Sequence, residues 1–283
     1  MHLHPRHKVA LTGALIATLS GLGAGLVTVD ARQAARTAQV PSSTTTYRAP
    51  RAGDGHADLN GIWQAINTAN WDIQDHAARQ GPVVALGASF SIPAGAGVVD
   101  GNELPYQPWA AQKKKDNAAN WLTLDPEVKC YLPGVPRATY LPYPFQIVQS
   151  QNTILMAYEF ASASRIVHMR DTGEAPIDSW MGWSRGRWDG DTLVIDVTGF
   201  NDQTWFDRAG NFHSEALHVV ERYTRTGPDH VLYEATIEDA KVFTRPWKMS
   251  MTLYRRTEQN AQLFEYKCVE FVEELMYGHL RKK

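Results

Sequence analysis

Residues 180–225 decide the fold, and they read WMGWSRGRWDGDTLVIDVTGFNDQTWFDRAGNFHSEALHVVERYTR. The segments Ser179 to Arg187 and Thr192 to Thr198 have the composition of strands, and Trp188-Asp189-Gly190-Asp191 lies between them. An Asp-Gly pair between two such segments is a strong signal for a β-hairpin. A dense polar and aromatic loop follows, and the next strand-like segment runs from Leu217 to Thr226. This stretch therefore predicts a hairpin, a long loop and a further strand.

Strand-like segments recur at hairpin spacing on both sides of this stretch. They are Gln146 to Gln149, Thr153 to Phe160, Ser164 to Met169, His230 to Ile237, Lys248 to Arg255 and Leu263 to Val269. Alternation is visible where Leu193, Ile195 and Val197 share one face. Because no long crossover helix separates the segments, they predict an antiparallel meander. Such a sheet closes into a barrel or folds as a sandwich to protect its edges, and we favour the barrel.

The region before these strands predicts an extension of helices and loops over residues 64–145. The segment from Asn67 to Arg79 predicts a helix. Pro108 can occupy the first turn of a second predicted helix, which ends near Asn120. Asp125 to Phe145 contains prolines at 126, 133, 136, 142 and 144, which exclude a helix and a central strand. We expect an ordered loop that packs on the sheet. Val272 to Leu280 predicts a closing helix.

The predicted fold class is therefore mainly β, an antiparallel meander that closes into a barrel. An N-terminal helical extension and a C-terminal helix complete it. The barrel domain is expected to begin at Asp58 and to include the rest of the 283 residues. Residues 32–57, rich in Ala, Thr, Ser and Gln, predict a disordered linker.

The first 31 residues indicate export. Arg6, His7 and Lys8 precede an uncharged stretch from Val9 to Val29, and Val29-Asp30-Ala31 places small residues where a signal peptidase cleaves. The alternative is an uncleaved N-terminal anchor, because the apolar stretch is long enough to span a bilayer. Either outcome places the remaining chain in the periplasm or outside the cell.

Composition excludes some classes of protein. A hydrophobic content of 43% supports a sizeable core, and a formal net charge of -2 argues against nucleic-acid binding. Cys130 and Cys268 are the only cysteines, and an even pair in an oxidising compartment predicts one disulfide. A buried pair of free thiols is the alternative.

The loop Asn201–Glu215, called the central loop below, contains the candidate catalytic residues. They are His213, Asp207, Asp202 and Glu215. His213 titrates near neutrality, so it can carry a proton, and Asp207 could orient it while Asp202 or Glu215 acts as a second acid or base. Trp205 and Asn201 are candidate ligand-binding residues in the same loop. The alternative is that the Asn, Asp and Gly residues only form turns.

Other candidate ligand-binding residues lie outside the central loop. Trp183 and Arg185 alternate onto one face of their strand and could hold a ring and a carboxylate. Stacking at the barrel surface is the alternative. Tyr143, in the proline-rich segment, is a further candidate ligand-binding residue. Three further carboxylates, Glu221, Glu234 and Glu265, lie within predicted strands, and the solvent-facing orientation is favoured over an inward one, which would need a cationic partner.

The sequence predicts neither a metal nor another cofactor. No His-x-His or His-Glu-x-x-His motif occurs, and His213 and His218 are five residues apart across a predicted loop-to-strand transition. The Gly-x-Ser-x-Gly elbow of many hydrolases and a glycine-rich nucleotide loop are also absent from the sequence.

Several motifs resemble those of a broad group of exported soil-bacterial proteins, most of them uncharacterised. The shared motifs are Asp58 to Trp63, Cys130 to Arg137, Tyr143-Pro144-Phe145, Ser179 to Ser184, Trp188 to Val194, and Gly199 to Asp202 followed by Thr204, Trp205, Asp207, Gly210 and His213-Ser214-Glu215. The resemblance covers nearly the whole exported chain and implies no particular reaction. Gly61-Ile62-Trp63 also resembles the first strand of lipocalin-like barrels.

Three functions are compatible with these observations. The first is a cofactor-independent acid/base enzyme, such as a lyase, isomerase or hydrolase, that acts on a small organic molecule. The second is a periplasmic binding or carrier barrel without turnover. The third is an accessory subunit of an envelope complex. The first two predict a small-molecule partner, and we expect the central loop to line the principal cavity.

Overall fold

A closed barrel of nine strands forms the centre of the structure, a computed structural model that describes residues 47–82, 84–266 and 278–280. The order of the strands around the barrel is their order in the chain, and β1 closes the barrel by pairing with both β2 and β9. The strands are β1 Gly61–Ala65, β2 Phe145–Gln149, β3 Thr153–Tyr158, β4 Ser164–His168, β5 Trp183–Asp189, β6 Thr192–Thr198, β7 His218–Gly227, β8 His230–Glu238 and β9 Trp247–Arg255. The predicted mainly β barrel is confirmed.

The hairpin of β5 and β6 forms where the Asp-Gly signal places it. Asp189 pairs with Thr192, and Gly190 has a φ of 58°, a conformation that glycine adopts without steric cost. Along β6, Leu193, Ile195 and Val197 are fully buried, as the alternation predicts. Each such side chain stabilises the fold by roughly 1.5–3 kcal/mol relative to an exposed position.

One pair of neighbouring strands departs from the predicted antiparallel meander. β4 and β5 run parallel and share only two pairs of residues, Val167 with Ser184 and His168 with Arg185. Parallel neighbours need a connection that returns to the starting end of the sheet, and residues 169–182 form it. The strand predicted from Ser179 consequently begins at Trp183. This short junction, called the β4–β5 seam below, is the least regular part of the barrel.

The extension between β1 and β2 contains α1 Pro108–Ala119, α2 Trp121–Leu124 and α3 Arg137–Tyr140. The helix predicted from Pro108 is thus confirmed, but the helix predicted over Asn67 to Arg79 is wrong. The side chain of Asn67 accepts the backbone N–H of Ala69, and that of Asp72 accepts the N–H of Gln74. Such local bonds compete with helix formation and favour turns.

Residues 47–57 pack on the barrel, although the sequence predicted them as the end of a disordered linker. Ala49 and Ala57 are buried, and the ring of His56 stacks on Trp188 with centroids 4.7 Å apart. The carboxylate of Asp54 accepts two hydrogen bonds from the Gln149 amide, at 2.9 and 2.8 Å. The predicted boundary at Asp58 is therefore too late in the chain. Residues 32–46 and the predicted signal segment lie outside the described residues.

The C-terminal predictions are only partly covered by the described residues. Residues 263–266, predicted as the start of a last strand, are not part of the sheet. Of the predicted closing helix only Gly278–Leu280 is described, and it forms a short 3-10 turn. Cys268 lies outside the described residues, so its disulfide with Cys130 stays a prediction. None of the helices in the described ranges has the length and hydrophobicity needed to cross a bilayer.

Side chains fill the interior of the barrel. The buried set includes Trp63, Phe145, Met156, Tyr158, Ile195, Tyr223, Tyr233 and Leu253. Buried and partly exposed residues alternate regularly along β7 and β8, which is the period-2 pattern of strands with one face toward a core. Sites for a ligand therefore have to be sought around the barrel wall and its loops.

Candidate functional site

His213 lies inside the central loop with both ring nitrogens hydrogen-bonded. It is 3% exposed, its Nε2 lies 2.6 Å from the hydroxyl oxygen of Thr204, and its Nδ1 lies 2.8 Å from the carbonyl oxygen of Ser214. The carbonyl can only accept, so Nδ1 carries the proton and the Thr204 hydroxyl donates to Nε2. Burial lowers the pKa of His213 below its usual value near 6.5. The ring is consequently held neutral in one orientation.

The proline-rich segment covers this pair. Gly134 has a φ of 74°, and a Cβ at this position would lie 2.5 Å from the Thr204 hydroxyl oxygen. Phe200 and Phe206 flank the other sides of the His213 ring, with centroid distances of 5.9 and 5.5 Å. A reactant therefore has no direct approach to the imidazole.

Asp207 is fully buried and serves as an acceptor for backbone and side-chain amides. Its carboxylate accepts the backbone N–H groups of Ile73 at 2.9 Å and Asn211 at 3.1 Å, and the Asn211 side chain at 2.6 Å. Burial, with a contribution from the charge of Asp72, raises its pKa to about 7. Asp207 thus joins the central loop to the segment after β1.

The predicted orienting contact between Asp207 and His213 is wrong. The ring nitrogens of His213 are occupied by Thr204 and Ser214, while the Asp207 oxygens face Ile73 and Asn211. Six residues of sequence separation do not place two side chains on the same side of an irregular loop. The backbone carbonyl of Ser214 orients the ring instead.

The other predicted catalytic residues lie at the surface. Asp202 is exposed and accepts a hydrogen bond from its neighbour Gln203 at 2.6 Å. Glu215 is half exposed and pairs with Lys241, and this hydrogen bond lowers the pKa of the Glu215 carboxyl. The structure therefore does not bring the four candidate acids and bases together.

A buried cluster of charges anchors the central loop to the proline-rich segment. Arg137 is 1% exposed and binds both oxygens of Asp125, at 2.7 and 2.8 Å. Arg208 binds both oxygens of Glu127, at 2.8 and 3.0 Å, and its guanidinium lies over the ring of Trp71 at 4.5 Å. Burial alone would lower the pKa of Arg137, but the charge of Asp125 opposes this and raises it above its usual range. The cluster explains why the central loop contains so many charged and aromatic residues.

Among four cavities of the described chain, the largest lies at the β4–β5 seam. It has a volume of about 480 Å³ and is called the seam cavity below. Its wall is formed by β4, by the connection before β5, by the first residue of β5, and by one residue of the proline-rich segment. The lining residues are Leu132, Ser164, Arg165, Ile166, His168, Pro176, Ile177, Ser179, Trp180, Met181, Gly182 and Trp183. None of them belongs to the central loop, so the prediction that this loop lines the principal cavity is wrong.

Arg165 connects the seam cavity to the barrel interior. It lines the cavity, and its guanidinium binds both oxygens of Glu221, at 2.7 and 3.0 Å. The hydroxyl groups of Tyr223 and Tyr233 each donate to Glu221 at 3.0 Å. The favoured solvent-facing orientation of Glu221 is therefore wrong, since this carboxylate is fully buried and satisfied.

Two smaller cavities adjoin the seam cavity and share lining residues with it. One, of about 320 Å³, shares His168 and is called the cationic cavity because Arg170, Arg185 and Arg187 line it. The other, of about 160 Å³, shares Trp180 and is lined by Asp202 and Trp205 of the central loop. Where the seam cavity meets this smallest cavity, the rings of Trp180 and Tyr131 stack with centroids 5.0 Å apart.

The predicted ligand-binding residues are distributed among these places. Trp183 lines the seam cavity, Arg185 the cationic cavity and Trp205 the smallest cavity. Asn201 accepts the backbone N–H of Gln203 at 3.2 Å in a turn, as the alternative proposed. Tyr143 packs against Phe160 and Tyr266, with centroids 5.6 and 5.0 Å away. Sequence reasoning missed Ile166, His168 and Ile177.

No group of three or more His, Cys, Asp or Glu side chains in the described ranges could hold a metal ion. The carboxylates of Asp125, Glu127 and Glu221, which a metal would prefer, are instead paired with arginines, and that of Asp207 accepts hydrogen bonds from amide groups. No protein-family model matches the chain, and no curated protein matches it either.

Proposed function

We propose that this protein is a small-molecule-binding β-barrel and that its ligand site is the seam cavity. The observation that carries the proposal is the cavity itself. Its volume of about 480 Å³ falls within the range of ordinary ligand pockets, and its wall is mainly apolar with a few polar groups. The sequence-based hypothesis of export agrees with a carrier or binding protein of the periplasm.

Exposed apolar side chains at the cavity support ligand binding. Ile166 is 52% exposed and Ile177 is 76% exposed, and both line the cavity. Covering such side chains stabilises a complex by removing apolar surface from water, at roughly 25 cal/mol for each Å². An apolar ligand in the seam cavity would cover both.

Trp183 contributes a hydrogen-bond donor that a ligand could satisfy. Its indole lines the cavity and stacks on His168 at 4.3 Å, yet its N–H is buried without an acceptor among the described residues. A buried unpaired donor is unfavourable, by about 1–3 kcal/mol. A ligand with an acceptor atom near this indole would offset that cost.

Catalysis by His213 is the alternative predicted from the sequence. The geometry around the imidazole supports catalysis less well than the seam cavity supports binding. The imidazole is enclosed by Thr204, Ser214, Phe200 and Phe206, and it does not line the seam cavity, the cationic cavity or the small cavity of Asp202 and Trp205. A general base has to reach the proton that it abstracts, directly or through one water. We therefore place binding ahead of turnover.

The test uses N-phenyl-1-naphthylamine, a neutral apolar molecule that fluoresces when it leaves water. Ile166→Glu places a charge in the cavity wall and should raise the Kd of this probe at least about tenfold, which corresponds to about 1.4 kcal/mol. Leu155→Glu is the matched control. Leu155 pairs directly with Ile166 across β3 and β4, is 40% exposed and does not line the cavity.

The control should change the Kd by less than about twofold, and both variants should keep the wild-type free energy of unfolding within about 0.5 kcal/mol. Equal loss of probe binding in the two variants would place the site elsewhere on the barrel. If neither variant loses probe binding, the seam cavity is not the ligand site.

A further inference from the structure

The cationic cavity continues the seam cavity along the outer face of the barrel. His168 lines both, and its ring stacks on Trp183 of the seam cavity. His168 pairs with Arg185 in the parallel ladder, and alternation along β5 puts Trp183, Arg185 and Arg187 on the same face. An elongated molecule can therefore lie in both cavities at once.

From this arrangement we propose that the ligand of the seam cavity is an amphipathic organic anion. Its apolar body fills the seam cavity, and its acid group binds Arg170 and Arg187 in the cationic cavity. This inference rests on the proposed function, because it names the chemical class of ligand for the same site.

The charges in the cationic cavity leave two arginines available. Arg185 is neutralised by Asp196 at 3.1 Å. Asp171, the other acid in the wall, accepts the backbone N–H of Gly173 at 3.0 Å and holds a turn. The side chains of Arg170 and Arg187 are exposed and have no hydrogen bond or ion pair with any residue that the structure describes. Guanidinium groups bind carboxylates and similar oxyanions with two parallel hydrogen bonds.

Arg165 cannot take the place of these arginines. Its guanidinium already donates to both oxygens of Glu221, to the hydroxyl of Tyr158 at 3.0 Å, and to Ser184 at 3.3 Å. An acid group at this position would have to displace Glu221 from a buried pair. The two arginines that have no side-chain partner in the described chain thus both lie on the side of His168.

The opposite end of the seam cavity has a different chemistry. There Trp180 also lines the small cavity that contains Asp202 and Gln203. Lys129 is the cationic residue in the lining of this small cavity. An anionic group is favoured in the cavity that two unpaired arginines line and disfavoured beside the carboxylate of Asp202. The charges therefore predict one orientation for the bound anion.

The experiment compares two probes with the same ring skeleton. 8-Anilinonaphthalene-1-sulfonate is N-phenyl-1-naphthylamine with one added sulfonate, so the ratio of their Kd values reports the contribution of the acid group. We expect the sulfonate to bind the wild-type protein about tenfold more tightly at low salt, and this preference to shrink as ionic strength rises.

The double variant Arg170→Ala/Arg187→Ala should lose this preference while its Kd for the neutral probe stays within about twofold. Arg245→Ala is the control, because Arg245 is 58% exposed and lines neither cavity. Decanoate should displace the bound sulfonate probe, and decan-1-ol should do so less well. An unchanged Kd ratio in the double variant would overturn the inference.

The two proposals fail in distinguishable ways. If Ile166→Glu spares the neutral probe, the seam cavity is not the site and the proposed function fails. If Ile166→Glu weakens both probes and the double arginine variant changes neither, the site stands and the anion preference is wrong. A further outcome is that the protein cosediments with phosphatidylglycerol vesicles while decanoate fails to displace the probe. This result would indicate binding to a membrane surface instead of to a single amphiphile, and it would also overturn the inference.

Discussion

The central loop and the β4–β5 seam differ in how their chemically active side chains are used. In the central loop, His213, Asp207 and Arg208 are buried or half-buried, and each is bonded to its surroundings. At the seam, Ile166 and Ile177 are exposed apolar residues, and the side chains of Arg170 and Arg187 have no partner in the described chain. Unsatisfied groups beside a cavity therefore indicate function better than crowding of polar residues in the sequence.

The physical reason is the cost of burying polar groups. A long irregular loop that packs on a barrel brings its backbone and side-chain polar groups out of water, and each needs a partner. Asp207 binds two backbone N–H groups, and Arg208 and Arg137 bind the acids of the proline-rich segment. The residues that resemble an active site are thus required to hold the loop in place.

The largest effect that separates the two regions is expected for Arg137→Ala. This change leaves the carboxylate of Asp125 buried without its cationic partner, which costs about 3–5 kcal/mol of unfolding free energy. Urea denaturation measures this value. Arg245→Ala, which removes an exposed arginine 3.9 Å from Glu103, should change stability by no more than about 0.5 kcal/mol. Similar losses in both variants would show that the buried cluster does not anchor the loop.

A smaller loss of stability is expected for Asp207→Ala. The substitution removes the acceptor of the Ile73 and Asn211 amides, and the unpaired donors cost about 1–3 kcal/mol. The Kd for N-phenyl-1-naphthylamine should stay within about twofold of the wild-type value, because Asp207 lines neither the seam cavity nor the cationic cavity. If binding disappeared in a variant that is still folded, the central loop rather than the seam would hold the ligand.

The smallest of the three effects concerns pH and His213. Burial lowers the pKa of this imidazole in the folded protein, so the unfolded chain binds a proton more readily below pH ~6.5. Its contribution to stability is present above that pH and is lost as pH falls toward the lower pKa of the folded state. His213→Gln should therefore flatten the decline of unfolding free energy between neutral and mildly acidic pH. An identical pH profile in the variant would contradict the neutral buried state.

Local signals in the sequence predicted the barrel strands well. The Asp-Gly pair and the alternation of Leu193, Ile195 and Val197 indicated β5 and β6, because turn chemistry and side-chain period act between near neighbours. The helix over Asn67 to Arg79 was wrong because side-chain bonds within that segment favour turns. Residues 47–57 were misassigned because their order comes from contacts with residues far along the chain, such as Trp188.

The candidate site was predicted less well, since its geometry depends on long-range packing. Trp183 and Arg185 were identified from their strand, but Ile166 and His168 meet them only because β4 and β5 run parallel. The pair of Arg165 and Glu221 joins residues 56 positions apart, and no local pattern specifies it.

By itself the sequence determined most of the strands, the β5–β6 hairpin and the mainly β class, because these follow from periodicity and turns over a few residues. Only the tertiary structure decided which polar side chains are hydrogen-bonded or ion-paired within the loops and which stay available to a ligand. That distinction depends on burial, and burial is set by the packing of segments that are distant in sequence. His213 and Arg187 show the difference: both are typical functional residues, and the fold encloses the first and exposes the second beside a cavity.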